Sequence, residues 1–407
     1  MRVDVAIVGG GMVGASLALA LKDTALKVAL IEAVAPESAV QPSFDDRTTA
    51  LGNGARRILE SLGVWREIAA EAAAIRGIHI SDAGRFGFAR LEASQHRLTA
   101  FGYTASNRHI GAVLWQSLRA QGQISLLCPA RTLEARLAED GARLRIADAA
   151  GVETEMHAAL VVAADGAHSL IKQAAGIASS EDDYRQVAVV ANIRTDAPAG
   201  GIAYERFADT GPMALLPLAG QGYTVVWTLE PDRAAQLQAC DPALFCELLQ
   251  RAFGWRVGRI REVGRRAAYP LALVRALEAT ATRVALIGNA SQALHPIAAQ
   301  GFNLGLRDAA VLAELIAAAS DPGAPAVLAE FAARRADDRR GMIGFTDNLV
   351  KLFGDRRAGM VAARNLGLLL FDLSAPAKRA LARVSFGFGN ALPRLSRGLP
   401  LSKGAPT

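Results

Sequence analysis

Cysteine is scarce in this chain of 407 residues, and no C-x-x-C pair occurs. The three thiols, Cys128, Cys240 and Cys246, are too few and too scattered to form a disulfide framework. We therefore expect a reducing compartment, the cytoplasm, and no metal site.

Long apolar runs are also lacking. The stretch from Val3 to Leu21 comes nearest, but Asp4 interrupts it, and its glycines do not suit a signal peptide or a membrane span. A buried strand followed by a helix is the expected structure there.

Acidic residues are absent from the last 35 positions, 373–407. This tail carries the whole net charge of +6, because elsewhere lysine and arginine balance the 39 aspartate and glutamate residues. With leucines between its cations, the tail could lie on an anionic membrane surface or a partner, and a solvated terminal helix is the alternative. No nucleic-acid-binding motif accompanies the charge, so nucleic acid is not an expected partner. The cations are Lys378, Arg379, Arg383, Arg394, Arg397 and Lys403.

The N-terminus carries the most specific motif. An apolar strand runs into Gly9, Gly11 and Gly14 with the spacing G-x-G-x-x-G, a helical pattern follows, and a second apolar strand ends at Glu32. In this context the glycines permit a tight turn, close approach to a pyrophosphate, and helix–strand packing, while the acid accepts hydrogen bonds from a ribose. The motif predicts a dinucleotide site and does not distinguish FAD from NAD.

Two later segments repeat the theme of an apolar strand that ends in a small polar turn. The first strand ends at Asp165-Gly166, and the second ends at Gly288-Asn289 and continues to Gly301-Phe302-Asn303. Apolar strands of this kind are typical of the interior of a parallel sheet.

With these segments the chain resembles the class A flavin-dependent aromatic hydroxylases over nearly its whole length, and within them the ubiquinone-biosynthesis hydroxylases. The resemblance implies FAD bound by the glycine loop, with Asp165 and Gly166 near the pyrophosphate and the route of the nicotinamide. It also implies that the Gly288-Asn289 turn contacts the ribityl chain, and that the remaining matched positions lie near the flavin ring or its oxygens. Those positions are His295, Pro296, Gly301, Phe302 and Asn303, with Arg47 and Arg108 as candidates for phosphate or flavin-oxygen contacts.

The implied reaction is hydroxylation of a prenylated phenol, of the 2-polyprenyl-6-methoxyphenol type, by O2 through a flavin C4a-hydroperoxide, with NADH or NADPH as reductant. His295 and Pro296 are the flavin-proximal candidates, and no base is assigned. Two positions depart from the family pattern: Asn289 replaces the usual aspartate and Ala299 the usual glycine. Another ring-position hydroxylase, a different aromatic hydroxylase and a non-catalytic flavin-binding scaffold remain alternatives.

The expected fold is α/β, with a Rossmann-type FAD-binding domain, an inserted β-sheet substrate domain and a C-terminal helical region. We assign residues 1–75, 100–178 and 268–335 to the FAD domain, because they contain the three strand–turn segments. Alternating, β-rich sequence assigns 76–99 and 179–267 to the substrate domain. Residues 336–407 form the helical region with the basic tail.

Overall fold

The computed structural model describes residues 1–38, 41–45, 47–208, 210–294, 300–355, 357–385 and 392–401. Its first layer is a parallel sheet in the order β18-β11-β1-β2-β8, with the short strand β17 antiparallel at one edge. The strands are β1 (Arg2–Val8), β2 (Val28–Ile31), β8 (Ile124–Leu127), β11 (Glu153–Ala163), β17 (Thr280–Ala281) and β18 (Val284–Leu286).

Both faces of this sheet are covered, which explains its continuous apolar strands. Alternate residues of β1 belong to two separate cores: Val5 and Ile7 lie in one, and Ala6 and Val8 in the other. The first core includes α1 (Met12–Ala20), α4 (Asn107–Arg119) and α8 (Gly301–Ala317). The second is covered by α5 (Leu170–Ala174) and by an antiparallel extension of β11, formed by β9 (Ala130–Ala138) and β10 (Gly141–Asp148).

A second sheet of eight strands is antiparallel except where β5 pairs with β13, and its order is β19-β16-β12-β15-β14-β13-β5-β6. One face packs on α6 (Pro231–Ala239) and α7 (Pro242–Phe253). The strands are β5 (Gly77–Asp82), β6 (Phe88–Glu92), β12 (Ser179–Thr195), β13 (Ile202–Ala208), β14 (Gly211–Pro217), β15 (Tyr223–Leu229), β16 (Ile260–Ala276) and β19 (Gln292–Ala293).

A small sheet, β3-β7-β4, lies between the two large ones, and the side chains of Thr48 and Thr224 share a hydrogen bond of 2.6 Å from β3 to β15. Its strands are β3 (Thr48–Gly52), β4 (Ala73–Ile75) and β7 (Gly102–Ser106), with the helices α2 (Asn53–Ser61) and α3 (Trp65–Ala69) beside them.

The C-terminal region contains α9 (Pro325–Gly354), α10 (Ala358–Leu373) and α11 (Ala375–Ser385). None of the described helices is by itself long and apolar enough to cross a membrane; α10 with Ala375–Leu381 satisfies that criterion as a pair bent by 97°. Beyond α11, the 3-10 turn Arg394–Arg397 packs on α2 and α8, where the Arg394 N–H donates to Glu314 at 2.7 Å. This end of the basic tail is therefore docked on the protein rather than frayed.

The predicted fold class is confirmed. The proposed domain limits stay a prediction: β5, β6 and β12 to β15 lie within the stretches assigned to the substrate domain, but β16 continues from 260 to 276 across the limit at 267.

Candidate functional site

The glycine loop joins β1 to α1. Gly9 has φ +102°, and a Cβ there would lie 2.4 Å from the carbonyl oxygen of Ala164. A Cβ on Gly14 would lie 2.0 Å from the Gly9 carbonyl oxygen, so this glycine allows α1 to approach the turn. At Gly11 a Cβ would meet only the Ser43 side chain, at 3.0 Å, and the remaining space is open. The loop therefore has the predicted turn, and its open side lies at the N-terminus of α1, which favours an anion.

Glu32 ends β2 beside this loop. Its carboxylate accepts from the Gly10 N–H at 2.6 Å and from the Val34 N–H at 2.9 Å. Oε1 also accepts from the Gln41 side chain at 3.3 Å, whereas Oε2 keeps a further lone pair, so the fixed carboxylate can still accept a hydrogen bond from a ribose.

Asp165 and Gly166 follow β11 at the same edge of the sheet. One carboxylate oxygen of Asp165 accepts from the Leu170 N–H at 3.0 Å, whereas Oδ1 is buried and has no hydrogen-bond partner among the described residues. Burial raises the pKa of this carboxyl. An unpartnered buried oxygen at the end of a parallel strand indicates a polar ligand group there.

The third turn, Gly288–Ala290, follows β18, and α8 begins nearby at Gly301. Asn289 is exposed and lines the cavity described below, as do Gly301 and Phe302. Asn303 holds β3 in place: its side chain accepts from the Gly52 N–H and donates to the Ala50 carbonyl, both at 2.8 Å.

The two candidate arginines are in different environments. Arg47 lines the cavity, forms an ion pair with Asp45 at 2.5 Å, and lies over the ring of Tyr269 at 4.4 Å. Arg108 is in the first turn of α4 with an exposed side chain, and it is not among the cavity-lining residues; its neighbour Asn107 is. His295 and Pro296, with Ala299, lie outside the described residues.

These segments surround one cavity of about 1570 Å³. Ligand sites of small molecules usually have about 300–1,000 Å³, so this cavity has room for a dinucleotide and a second ligand. One arm follows the glycine loop, Glu32 and Asp165. The other lies between the large antiparallel sheet and the helices α9 and α10. The open glycine cradle, the ribose acceptor and the unpartnered Asp165 oxygen together fit FAD.

By sequence alone, six apolar side chains of the β-rich segments could line a prenyl channel or equally a buried sheet face: Phe86, Phe88, Phe207, Leu215, Leu216 and Trp227. Of these, Phe207 and Leu216 line the cavity, whereas Leu215 and Trp227 are buried on the opposite face of the sheet, against α7. Successive residues of a strand point to opposite faces, and composition alone does not distinguish the faces. Phe86 is 64% exposed, and Phe88 stacks on His79.

Glu205 of β13 also lines this arm, and sequence reasoning missed it. Burial raises the pKa of its carboxyl to about 7. The one signal for it is its position as an acid within a β-rich segment. Tyr204 and Tyr223 lie in an aromatic cluster with Phe253.

Comparisons with known proteins agree with this site. Residues 2–346 match the family model described as an FAD binding domain. The solved p-nitrophenol 4-monooxygenase PnpA of Pseudomonas putida has the same fold, with a TM-score of 0.77 at 20% identity over 95% of this chain and 99% of that one. The chain thus belongs to the FAD-dependent aromatic monooxygenases, enzymes that use NAD(P)H as co-substrate.

Two curated relatives show which branch of this class the chain belongs to. The ubiquinone hydroxylase UbiL of Rhodospirillum rubrum is 37% identical over 98% of this chain and 93% of its own length. The 3-demethoxyubiquinol 3-hydroxylase of Escherichia coli is 31% identical over 90% of this chain and 96% of its own. Within its class the chain is a member of the ubiquinone-pathway hydroxylases.

Proposed function

We propose that this enzyme hydroxylates a prenylated phenol of the 2-polyprenyl-6-methoxyphenol type. The names of its relatives indicate that the substrate carries an aromatic ring of the ubiquinone pathway. The second arm of the cavity offers a place for a prenyl chain on that ring. The observation that carries the proposal is the apolar lining of this arm between the sheet and the C-terminal helices. Its helical side consists of Arg364, which pairs with Asp82, and of the apolar residues Phe345, Leu349, Leu352, Phe353, Met360, Ala363, Gly367, Leu368, Phe371 and Leu381.

Contacts between the large sheet and the C-terminal helices hold the two walls of this arm together. Phe207 of the sheet stacks on Phe353 of α9 with ring centroids 3.4 Å apart, and the N–H of Gly87, in the turn before β6, donates to Asn365 of α10 at 2.8 Å. Arg364 of α10 pairs with Asp82 of β5 at 2.9 Å, so helix and sheet are also joined by a buried ion pair. An apolar passage held at both sides binds an isoprenoid by burial and excludes water from the ring.

FAD, when bound, supplies electron transfer from NAD(P)H and the activation of O2. The glycine loop and Glu32 would hold its adenosine and phosphates, with Asp165, Asn289 and the start of α8 along the rest of the molecule. The chain contributes the alignment of the phenol ring against the flavin and the removal of water.

The test is anaerobic reduction of the FAD-loaded enzyme by NADH and by NADPH, with and without a short-chain 2-prenyl-6-methoxyphenol. We expect the phenol to accelerate reduction, and aeration with labelled O2 to give a product hydroxyl that carries the label. FAD binding without acceleration or product would instead favour a different aromatic substrate, or a flavin-binding scaffold.

The prenyl arm has its own test. In Gly367→Phe the new side chain would stand in the arm, and in the control Gly359→Phe the same change is made on α10 at a position that does not line the cavity. We expect the first variant to raise KM for the prenylated phenol about tenfold or more, with a smaller effect on the unprenylated one. Equal effects of both variants would contradict a prenyl site here.

We further propose that the enzyme works at a membrane surface, where α10 lies against the lipid. Three leucines on α10 are exposed, Leu366 by 52%, Leu370 by 57% and Leu373 by 77%, next to the apolar arm. Cations of the basic tail, such as the exposed Arg379, would add attraction to anionic headgroups.

A further inference from the structure

The cavity wall formed by the large sheet contains an isolated acid. Glu205 lies on β13, in register with Ile80 of β5 on one side and with Ala214 of β14 on the other. Its neighbours on the two flanking strands are thus aliphatic, and the half-buried side chain lines the substrate arm. Other residues of this face that line the cavity include Ile78, Leu91, Val190, Ala203, Phe207, Leu216, Val226 and Tyr269.

No hydrogen bond or ion pair within the described part of the chain explains why an acid occupies position 205. Among the described residues it has no hydrogen-bond or ion-pair partner, although an unpaired acid in such surroundings is costly. Strand alternation puts the adjacent Tyr204 and Arg206 on the opposite face.

The charged groups of the neighbouring elements are already paired. Asp82, at the end of β5, accepts from Arg364 and Asn365 of α10 at 2.9 and 2.8 Å. On α9, Asp347 pairs with Lys351 at 2.6 Å. His79 of β5 is on the opposite face and contacts Arg256. β14 contributes only the methyl group of Ala214 beside Glu205.

We propose that Glu205 is a catalytic residue that takes the proton of the substrate phenol hydroxyl. This inference rests on the proposed function. The O–H bond breaks, the carboxylate becomes a carboxylic acid, and the phenol becomes a phenolate, with no change in electron count. The oxygen atom transferred to the ring comes from O2, and the hydrogen displaced from the ring carbon leaves as a proton, which restores the phenol. Glu205 then returns its proton to solvent.

The chemistry suits this position. A phenolate ring is richer in electrons than a phenol ring, so electrophilic oxygen reaches it more easily. Phenols such as that of tyrosine have a pKa near 10, and an ordinary carboxylate is far too weak a base for them. Burial raises the pKa of Glu205 to about 7. The half-buried carboxylate, which faces the cavity, is therefore a better matched acceptor at neutral pH.

The kinetic test compares Glu205→Gln, Glu205→Asp and the wild type with FAD bound. Glutamine keeps the shape and removes the base, so we expect kcat for hydroxylation to fall ~10²-fold or more, as for loss of a general base. The rise of wild-type kcat with pH near 7 should disappear, and aspartate should restore part of it. Glu262→Gln, on the same sheet at an exposed site, is the control and should match the wild type.

A second measurement does not depend on turnover. A prenylated 4-nitrophenol changes colour on ionisation, so its absorbance reports the ionised fraction when it is bound. At pH about 7 we expect a larger ionised fraction on the wild type than on Glu205→Gln. Equal fractions across pH about 6–9 would overturn the role of Glu205. A wild type that binds and ionises the nitrophenol but hydroxylates no prenylphenol would reject the proposed substrate and leave this role standing.

Discussion

Asp308 of α8 and Arg335 of α9 form an ion pair of 2.7 Å with almost no solvent contact, since their side chains are 0% and 4% exposed. Asp308 also accepts from the Gly288 N–H at 3.2 Å, so the pair links the long helix α9 to the third turn of the candidate site. Burial by itself would raise the pKa of Asp308, but Arg339 and Arg335 outweigh it and lower the pKa.

We predict that Asp308→Asn lowers the free energy of unfolding by about 3 kcal/mol, because it leaves two buried guanidinium groups short of a counter-charge. FAD affinity should fall as well, since the Gly288 turn loses a charged acceptor. Urea unfolding and FAD titration measure the two effects. Asp337→Asn, which removes an exposed partner of Arg340 on α9, should change neither. Similar effects of the two variants would contradict the role of the buried pair.

A pH dependence follows from Asp338, which pairs with Arg307 at 2.7 Å and with Arg335 at 2.5 Å. Burial alone would raise its pKa, but these two arginines outweigh it and lower the pKa to about 2. A carboxyl with a lowered pKa stabilises the fold above its unfolded value, 3.8, and this contribution is lost as the pH falls towards 2.

We therefore expect the urea midpoint of the wild type to fall between pH about 4 and about 2. Asp338→Asn should be less stable at neutral pH and lose less on acidification, whereas Asp337→Asn should keep the wild-type dependence. Parallel pH curves for the wild type and Asp338→Asn would contradict this assignment.

Two glycines of the first turn should respond differently to the same change. At Gly11 an added methyl group would enter the open cradle, so Gly11→Ala should fold but bind FAD at least tenfold more weakly. At Gly14 the methyl group would meet backbone 2.0 Å away, so Gly14→Ala should lose thermal stability even without FAD. Flavin absorbance and thermal melting of the apoprotein separate the effects. Gly122→Ala, with open space around its Cβ, is the control. Undiminished FAD binding by Gly11→Ala would reject this loop as the pyrophosphate cradle.

The exposed leucines of α10 lead to a prediction about membranes. Replacement of Leu366, Leu370 and Leu373 by serine should weaken binding to anionic liposomes about tenfold or more, because it removes apolar area from the proposed lipid contact. Co-sedimentation measures the change. Leu277→Ser, at an equally exposed site elsewhere, should have no effect. Deletion of the residues after 385 is a less specific test, since it also removes the hydrogen bond from Ser61 to the Leu395 carbonyl. Unchanged binding by the triple variant would rule out α10 as the contact.

The turn of the glycine loop and the acid beside it were readable from the sequence because their requirements are local, and their part in binding FAD stays a prediction. Gly9, Gly11 and Gly14 act within one turn, and Glu32 lies at the end of the next strand, so their spacing along the chain determines their spacing in the fold. The fold class followed from this segment together with the resemblance to the class A flavin-dependent hydroxylases.

The substrate arm was not readable in this way. Leu215 and Leu216 are adjacent and chemically identical, yet the first is in the core against α7 and the second lines the cavity. Glu205 likewise resembles any acid in an exposed strand until β5 and β14 surround it with Ile80 and Ala214. The sequence by itself determined the cofactor loop and the class of fold, since both depend on short-range order. The tertiary structure alone decided which face of the large sheet lines the cavity, because that depends on which layers pack against each side.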